Sequence, residues 1–219
     1  MMPNKIMKFT EKFLSKILLI AIPFSLAKLK AQQQTEIKLN AAFIPLTMLN
    51  IAVEKPLNKK FSLQAEGFIS PWKSLYGKNM QFYMGTLEGR YYFDEVMKKW
   101  YIGAYGSVVA FNIQKWNYLK SAVVYDDNGN PELLANGNVR ITERYQKGIA
   151  LIFGFSGGYH FKINNQLGLD IYAGIGATQS LYKGYLKDNN ERYDGAEKWN
   201  KSGEIVPTRG GIMLTYKFE

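Results

Sequence analysis

The chain has 219 residues, room for one large β domain or barrel, with 15 Tyr, 13 Phe and 20 Gly but no cysteine. Without cysteine there can be no disulfide, thiol chemistry or cysteine-based metal site. The formal charge of +10 would suit an acidic partner, but much of it is concentrated at one end.

That end reads as a secretory signal. Lys5, Lys8, Lys12 and Lys16 form a basic region, Ile17–Leu26 an apolar one, and Ala27–Ala31 a short exit segment. The apolar stretch is too short for a spanning helix, which needs about 20 residues. Cleavage after Ala31 is expected, leaving a mature domain of residues 32–219; an uncleaved anchor is the alternative. Removal takes away six lysines and Glu11, so the mature chain carries 22 basic and 17 acidic residues and a formal charge of +5. No fold-level argument for a nucleic-acid partner survives that subtraction. With no lipobox cysteine, the mature end is not expected to be lipidated.

Beyond the signal, apolar residues recur with a period of two, the mark of strands with two unlike faces. Ile37, Leu39, Ala41 and Phe43 alternate with Lys38, Asn40 and Ala42 until Ile44–Thr47, with Pro45, breaks the run. Leu49, Ile51 and Val53 then alternate with Asn50, Ala52 and Glu54, ending in a turn at Pro56–Lys60. A third strand places Phe61, Leu63, Ala65, Gly67 and Ile69 against Ser62, Gln64, Glu66 and Phe68, stopping at Pro71 and Trp72 before a polar loop, Lys73–Asn79.

The fourth strand, about Met80–Phe93, sets Tyr83, Leu87, Tyr91 and Phe93 against Thr86, Glu88, Arg90 and Tyr92. After a charged turn at Asp94–Lys99, the fifth (Trp100–Gln114) sets Ile102, Ala104, Val108 and Ala110 against Tyr101, Gly103, Tyr105 and Ser107. A long insertion, Lys115–Tyr145, precedes the sixth strand, Lys147–Lys162. The turn Asn164–Asn165 leads into the clearest strand, Gln166–Tyr182. Its Leu167, Leu169, Ile171, Ala173, Ile175 and Ala177 share one parity and Gly168, Asp170, Tyr172, Gly174, Gly176 and Thr178 the other. A second polar insertion, Lys183–Val206, separates it from the eighth strand, Thr208–Phe218.

Eight two-faced strands joined by alternately short and long connections predict an all-β fold: an eight-stranded antiparallel transmembrane barrel of the small outer-membrane type. The charged residues, Lys38, Glu54, Glu66, Glu88, Arg90, Asp170 and Arg209 among them, all lie on the parity opposite the aliphatics. A narrow membrane barrel turns that parity inward, where the charges can pair and close the lumen. A soluble lipocalin-like barrel that binds a small apolar ligand predicts the reverse, with aliphatics inside. Aromatic residues near the strand ends on the apolar parity, such as Phe61, Tyr91, Tyr159 and Tyr216, match an interfacial girdle and favour the membrane reading.

Several runs also resemble a known family. Lys38-Leu39-Asn40, then Asn50 to Ser62 (NIAVEKPLNKKFS), then Ser70-Pro71-Trp72, resemble the opening of the domain of unknown function 3575. Glu88-Gly89-Arg90-Tyr91-Tyr92, Gly157-Gly158-Tyr159-His160, Gly174-Ile175-Gly176 and the closing run Pro207 to Tyr216 (PTRGGIMLTY) are similar to its later strands. The resemblance spans about Lys38 to Phe218. It implies an outer-membrane β-barrel of the kind found in Bacteroidetes-type bacteria, with no assigned activity. Many members carry cysteines that this chain lacks, so no disulfide carries over.

Chemistry is sparse. Catalysis by the single histidine, His160, needs a nucleophile beside it and a carboxylate to orient it. Ser156 shares its parity but lies about 13 Å away along a strand. No catalytic residue, metal site or cofactor is therefore expected. Asp126 to Glu132 (DDNGNPE) has oxygen-rich side chains without the full calcium-loop spacing and reads as a hairpin turn. Segments 123–125 and 132–134 beside it would extend strands five and six. A narrow channel and a lipid-modifying enzyme are the other readings. The expected role is structural or interactive, carried by loops 115–145 and 183–206 of a monomer. Outer-membrane lipid and lipopolysaccharide would surround it. Trp116, Tyr118, Tyr185, Tyr193 and Trp199 are the candidates for contact with an extracellular protein or glycan.

Overall fold

The computed structural model describes residues 35–75, 77–114, 122–126, 128–193 and 198–218. The expected signal segment, Trp116 and Tyr118 lie outside them. Among the described residues ten strands follow one another: β1 (Glu36–Asn40), β2 (Leu49–Pro56), β3 (Phe61–Leu75), β4 (Lys78–Tyr92), β5 (Lys99–Ile113), β6 (Ala122–Val123), β7 (Ile141–Thr142), β8 (Arg144–Lys162), β9 (Leu167–Leu186) and β10 (Asn200–Lys217). Eight of them close into an antiparallel barrel in the order β1-β10-β9-β8-β5-β4-β3-β2, and β6 and β7 pair separately as a ribbon. The ring closes where Ile37 faces Tyr216 and Leu39 faces Leu214.

The turns at one end form for local reasons. The Asn58 carboxamide oxygen accepts from the Lys60 and Phe61 amides at 2.9 Å each. Asn164 does the same for Gln166 and Leu167, at 2.8 and 2.7 Å. At the other end the strands run further than their alternation shows. The predicted loop Lys73–Asn79 shrinks, because β3 continues to Leu75 and β4 begins at Lys78, with Gly77 at φ 77° just before it. The predicted insertion Lys183–Val206 shrinks likewise, because β9 continues to Leu186 and β10 begins at Asn200. In both cases the strand extension carries lysine and other polar side chains, so it lacks the apolar parity that betrays a strand. The first strand is shorter than expected. It ends at Asn40, whose carboxamide oxygen accepts from the Ala42 amide, and Ala41–Leu46 forms a 3-10 turn around Pro45. Within the Lys115–Tyr145 insertion, Val123 pairs with Ile141 in the ribbon and so does not prolong the fifth strand.

The two faces of the wall are inverted relative to a water-soluble barrel. Lys38, Glu54, Gln64 and Asp170 are fully buried, whereas Phe155 is 73% and Ile102 53% exposed. The aliphatic parity lies outside on every long strand, the reverse of the arrangement that a lipocalin-like barrel predicts. At the short-turn end, outward aromatics stand in contact along the wall: Phe61 with Tyr91 at 5.0 Å, Trp100 with Tyr159 at 5.0 Å, and Tyr216 with Phe218 at 5.2 Å between ring centroids. Glycines let the wall be filled from within. A Cβ on Gly154 would sit 2.7 Å from the Gly176 Cα on the facing strand, and at either residue it would meet the Tyr105 hydroxyl.

Candidate functional site

Each strand of the ring places at least one polar side chain into a single buried cluster on the short-turn side of the lumen. The Lys38 ammonium lies 2.5 Å from Glu54 Oε2 and 2.6 Å from Asp170 Oδ2. Arg90 lies at the centre: its Nη1 donates to Glu54 at 3.0 Å and to Asp170 at 2.7 Å, and its Nη2 to Glu88 at 2.9 Å. Arg209 donates to Glu88 at 2.9 Å and to Glu66. All seven lumen residues singled out in the sequence are thus joined, three cations against four carboxylates. A planar guanidinium can serve several carboxylates at once, which is why arginine holds the centre.

Neutral groups complete the satisfaction of these charges. Tyr92 donates to Glu54 at 2.7 Å, Tyr101 to Asp170 at 2.8 Å and Asn50 to Glu66 at 2.8 Å. Ser62 bonds Glu54 and Ser156 bonds Glu88. The Arg90 guanidinium stacks 4.4 Å from the Tyr101 ring centre. These neutral partners were visible in the sequence only as members of the inward parity; nothing there told which carboxylate each would meet.

Above the cluster, toward the long loops, the inward side chains become apolar. Phe68, Phe82, Met84, Val109, Phe111 and Ile152 line a cavity of about 860 Å³, whose wall also includes Glu66 and Arg209 of the cluster. The lumen is therefore filled by charge in one half and open in the other, where the sequence reading expected it closed or very narrow.

His160 Nε2 lies 3.0 Å from Glu36 Oε2 and 3.4 Å from Thr215 Oγ1. Ser156 is engaged with Glu88 instead. In a nucleophile–histidine–carboxylate relay, nucleophile and carboxylate use opposite ring nitrogens. Here both neighbours share one nitrogen, and Nδ1 has no hydrogen-bond partner among the described residues. Asp126 Oδ1 accepts from the Asn128 and Asn130 amides at 3.0 and 2.8 Å, so this carboxylate stabilises the expected turn.

The loop ends are clasped together. Glu143, between β7 and β8, accepts from Lys187 after β9 at 2.8 Å, from Gln114 after β5 at 3.0 Å, and from Lys78 at the start of β4. Arg140 adds a fork to Asp188 at 2.8 and 3.0 Å and a second contact to Glu132 at 2.9 Å. Of the loop aromatics, Tyr185 stacks on Tyr145 at 5.3 Å, the Arg144 guanidinium lies 5.0 Å from the Tyr193 ring, and Trp199 is exposed beneath Lys183 at 4.7 Å. Tyr185 and Tyr193 are thus partly used in holding the loops.

Hydrogen bonds from Lys187, Lys78 and Gln114 hold the Glu143 carboxyl at about 2, below its ordinary 4.5. Its contribution is fully present above about pH 4.5 and is lost as pH falls toward 2. Solvent screening limits it to about 0.5–1 kcal/mol. A nitroxide on Asn189→Cys, in a chain without other cysteines, should therefore gain mobility between pH 5 and 2. The further change Glu143→Gln should give that mobility already at pH 7; an unchanged spectrum would remove the clasp.

No curated protein and no solved structure matches the chain. A family model described as a protein of unknown function (DUF3575) matches residues 16–218, nearly the whole length, and the chain belongs to that family.

Proposed function

We propose that the protein is an outer-membrane barrel of a Gram-negative bacterium, exported by its N-terminal signal. It is a monomer without catalytic activity, anchored by its wall and acting through its clasped loops on an extracellular protein or glycan. The inverted wall carries this reading: paired charges inside, aliphatics outside. The outward apolar run Leu167–Ala177 of β9 is followed outward by Gln179. It measures about 33 Å along the strand, or roughly 25 Å at a tilt near 40°, the height of a membrane barrel's apolar band. The next outward residues on other strands, Lys73, Gln81, Asn112 and Lys147, are also polar, and Gln81, Asn112 and Lys147 follow one another in register. No helix among the described residues is long and apolar enough to cross a membrane; a crossing would be made by strands.

The charge cluster supports a plug. On the short-turn side the narrow interior is filled by side chains, and those side chains are ionically locked. Cell fractionation followed by electrophoresis with and without boiling tests the reading. The band is expected in the outer-membrane fraction, with a migration that changes on heating. Recovery as a soluble periplasmic monomer with no heat shift would sink it.

A further inference from the structure

The wall around the apolar cavity is not complete. β1 ends at Asn40, opposite Met213, and β2 begins at Leu49, opposite Ile69. Beyond those points β3 runs on through Ser70–Leu75 and β10 through Asn200–Ile212, with no strand between them and no β3–β10 ladder among the described residues. The 3-10 turn Ala41–Leu46 lies in this gap, packed against β10, and Trp72 Nε1 of β3 donates to its Leu46 carbonyl at 2.8 Å.

Two prolines mark the same place. Pro71 on β3 and Pro207 on β10 sit where their strands are paired on one side only, opposite Gln81 of β4 and Ile175 of β9. Proline lacks the amide hydrogen a ladder needs and is confined to strand edges. The outward residues bordering the gap, Ile69, Pro71 and Ile205 (77% exposed), belong to the apolar band and lie below Lys73 and Lys201. The cavity reaches the gap through Phe43, Leu46, Val206 and Gly210. Apolar side chains therefore continue from the strand edges at the gap, past the 3-10 turn, to Phe68, Phe82, Met84 and Phe111. Unpaired backbone at membrane depth is tolerated where it borders such a cavity.

We infer that the cavity binds a single hydrocarbon chain of a lipid amphiphile, inserted sideways between β3 and β10. The sideways route rests on the membrane reading above. Water would gain little from this cavity, because its lining offers mainly rings, thioethers and methyls, and 860 Å³ falls in the range of pockets that enclose small ligands. The polar end of the amphiphile stays at the mouth, since the floor is occupied by the Glu66–Arg209 pair.

The mature full-length protein, inserted in phosphatidylcholine vesicles, tests this with two probes carrying a diazirine at the chain end: palmitate, and phosphatidylcholine bearing the same chain. After illumination, adducts are expected on the inward Phe68, Phe82, Met84 or Phe111. Adducts with palmitate alone assign a free fatty acid, and adducts with the phospholipid assign a membrane lipid's tail. Ala150→Phe, which narrows the cavity from β8, should abolish the inward adducts while heat-modifiable migration persists. Adducts confined to outward residues such as Leu151 and Phe153, in protein that still shows the heat shift, would overturn the inference and leave the barrel reading intact. A chain that stays out of the vesicles overturns the membrane reading, and the sideways route with it.

Discussion

Replacement of Arg90 by leucine should destabilise the barrel by about 3–5 kcal/mol, the usual cost of removing one partner from a buried ionic network. Arg90 is 1% exposed and bonds Glu54, Glu88 and Asp170 together. Lys38 and Arg209 remain in the variant, so each carboxylate keeps one cation, but the centre of the cluster is left with excess negative charge. Arg90→Lys should recover only part of the loss, because one ammonium cannot reproduce the fork to Glu88 and also reach the other two. Removing a carboxylate together with the arginine, as in Arg90→Met with Glu88→Met, should cost less than the sum of the two single changes. Urea unfolding of the protein in lipid vesicles, followed by tryptophan fluorescence, gives the comparison. A loss below about 1 kcal/mol for Arg90→Leu would show the cluster to be incidental to stability.

The second large effect comes from the opposite face, and its sign separates the environments. Phe155 points outward from the middle of β8 and is 73% exposed. In water, an exposed phenylalanine changed to arginine shifts stability by no more than about 0.5 kcal/mol. In hydrocarbon at mid-depth the same change costs about 2–4 kcal/mol. Phe155→Arg should therefore lower the yield of heat-modifiable, membrane-inserted protein and its unfolding midpoint in vesicles, whereas Lys147→Arg at the polar collar should change neither. A Phe155→Arg protein that folds as well as the parent, in water and without detergent, would contradict a lipid-facing wall.

Strand parity was a local property and was legible from residue order alone. A side chain's face follows from counting by two, so Lys38, Glu54, Glu66, Glu88, Arg90, Asp170 and Arg209 could be assigned to one face, and Ile37, Leu63, Leu169 and Ile171 to the other, before any strand was paired. The turns at Asn58 and Asn164 were legible for the same reason, because an asparagine side chain bonds its own neighbours. Strand ends at the loop side were not. There β9 and β10 are held by pairing with each other, Tyr182 opposite Asn200, in a stretch whose composition is that of a loop. Which carboxylate each cation meets also waited on the ring: Arg90 and Asp170 are 80 residues apart, and only closure of the sheet brings them to 2.7 Å. The gap above β1 and β2 arises in the same way. It is the difference between the lengths of strands that become neighbours only in three dimensions, and no single segment of the chain carries it.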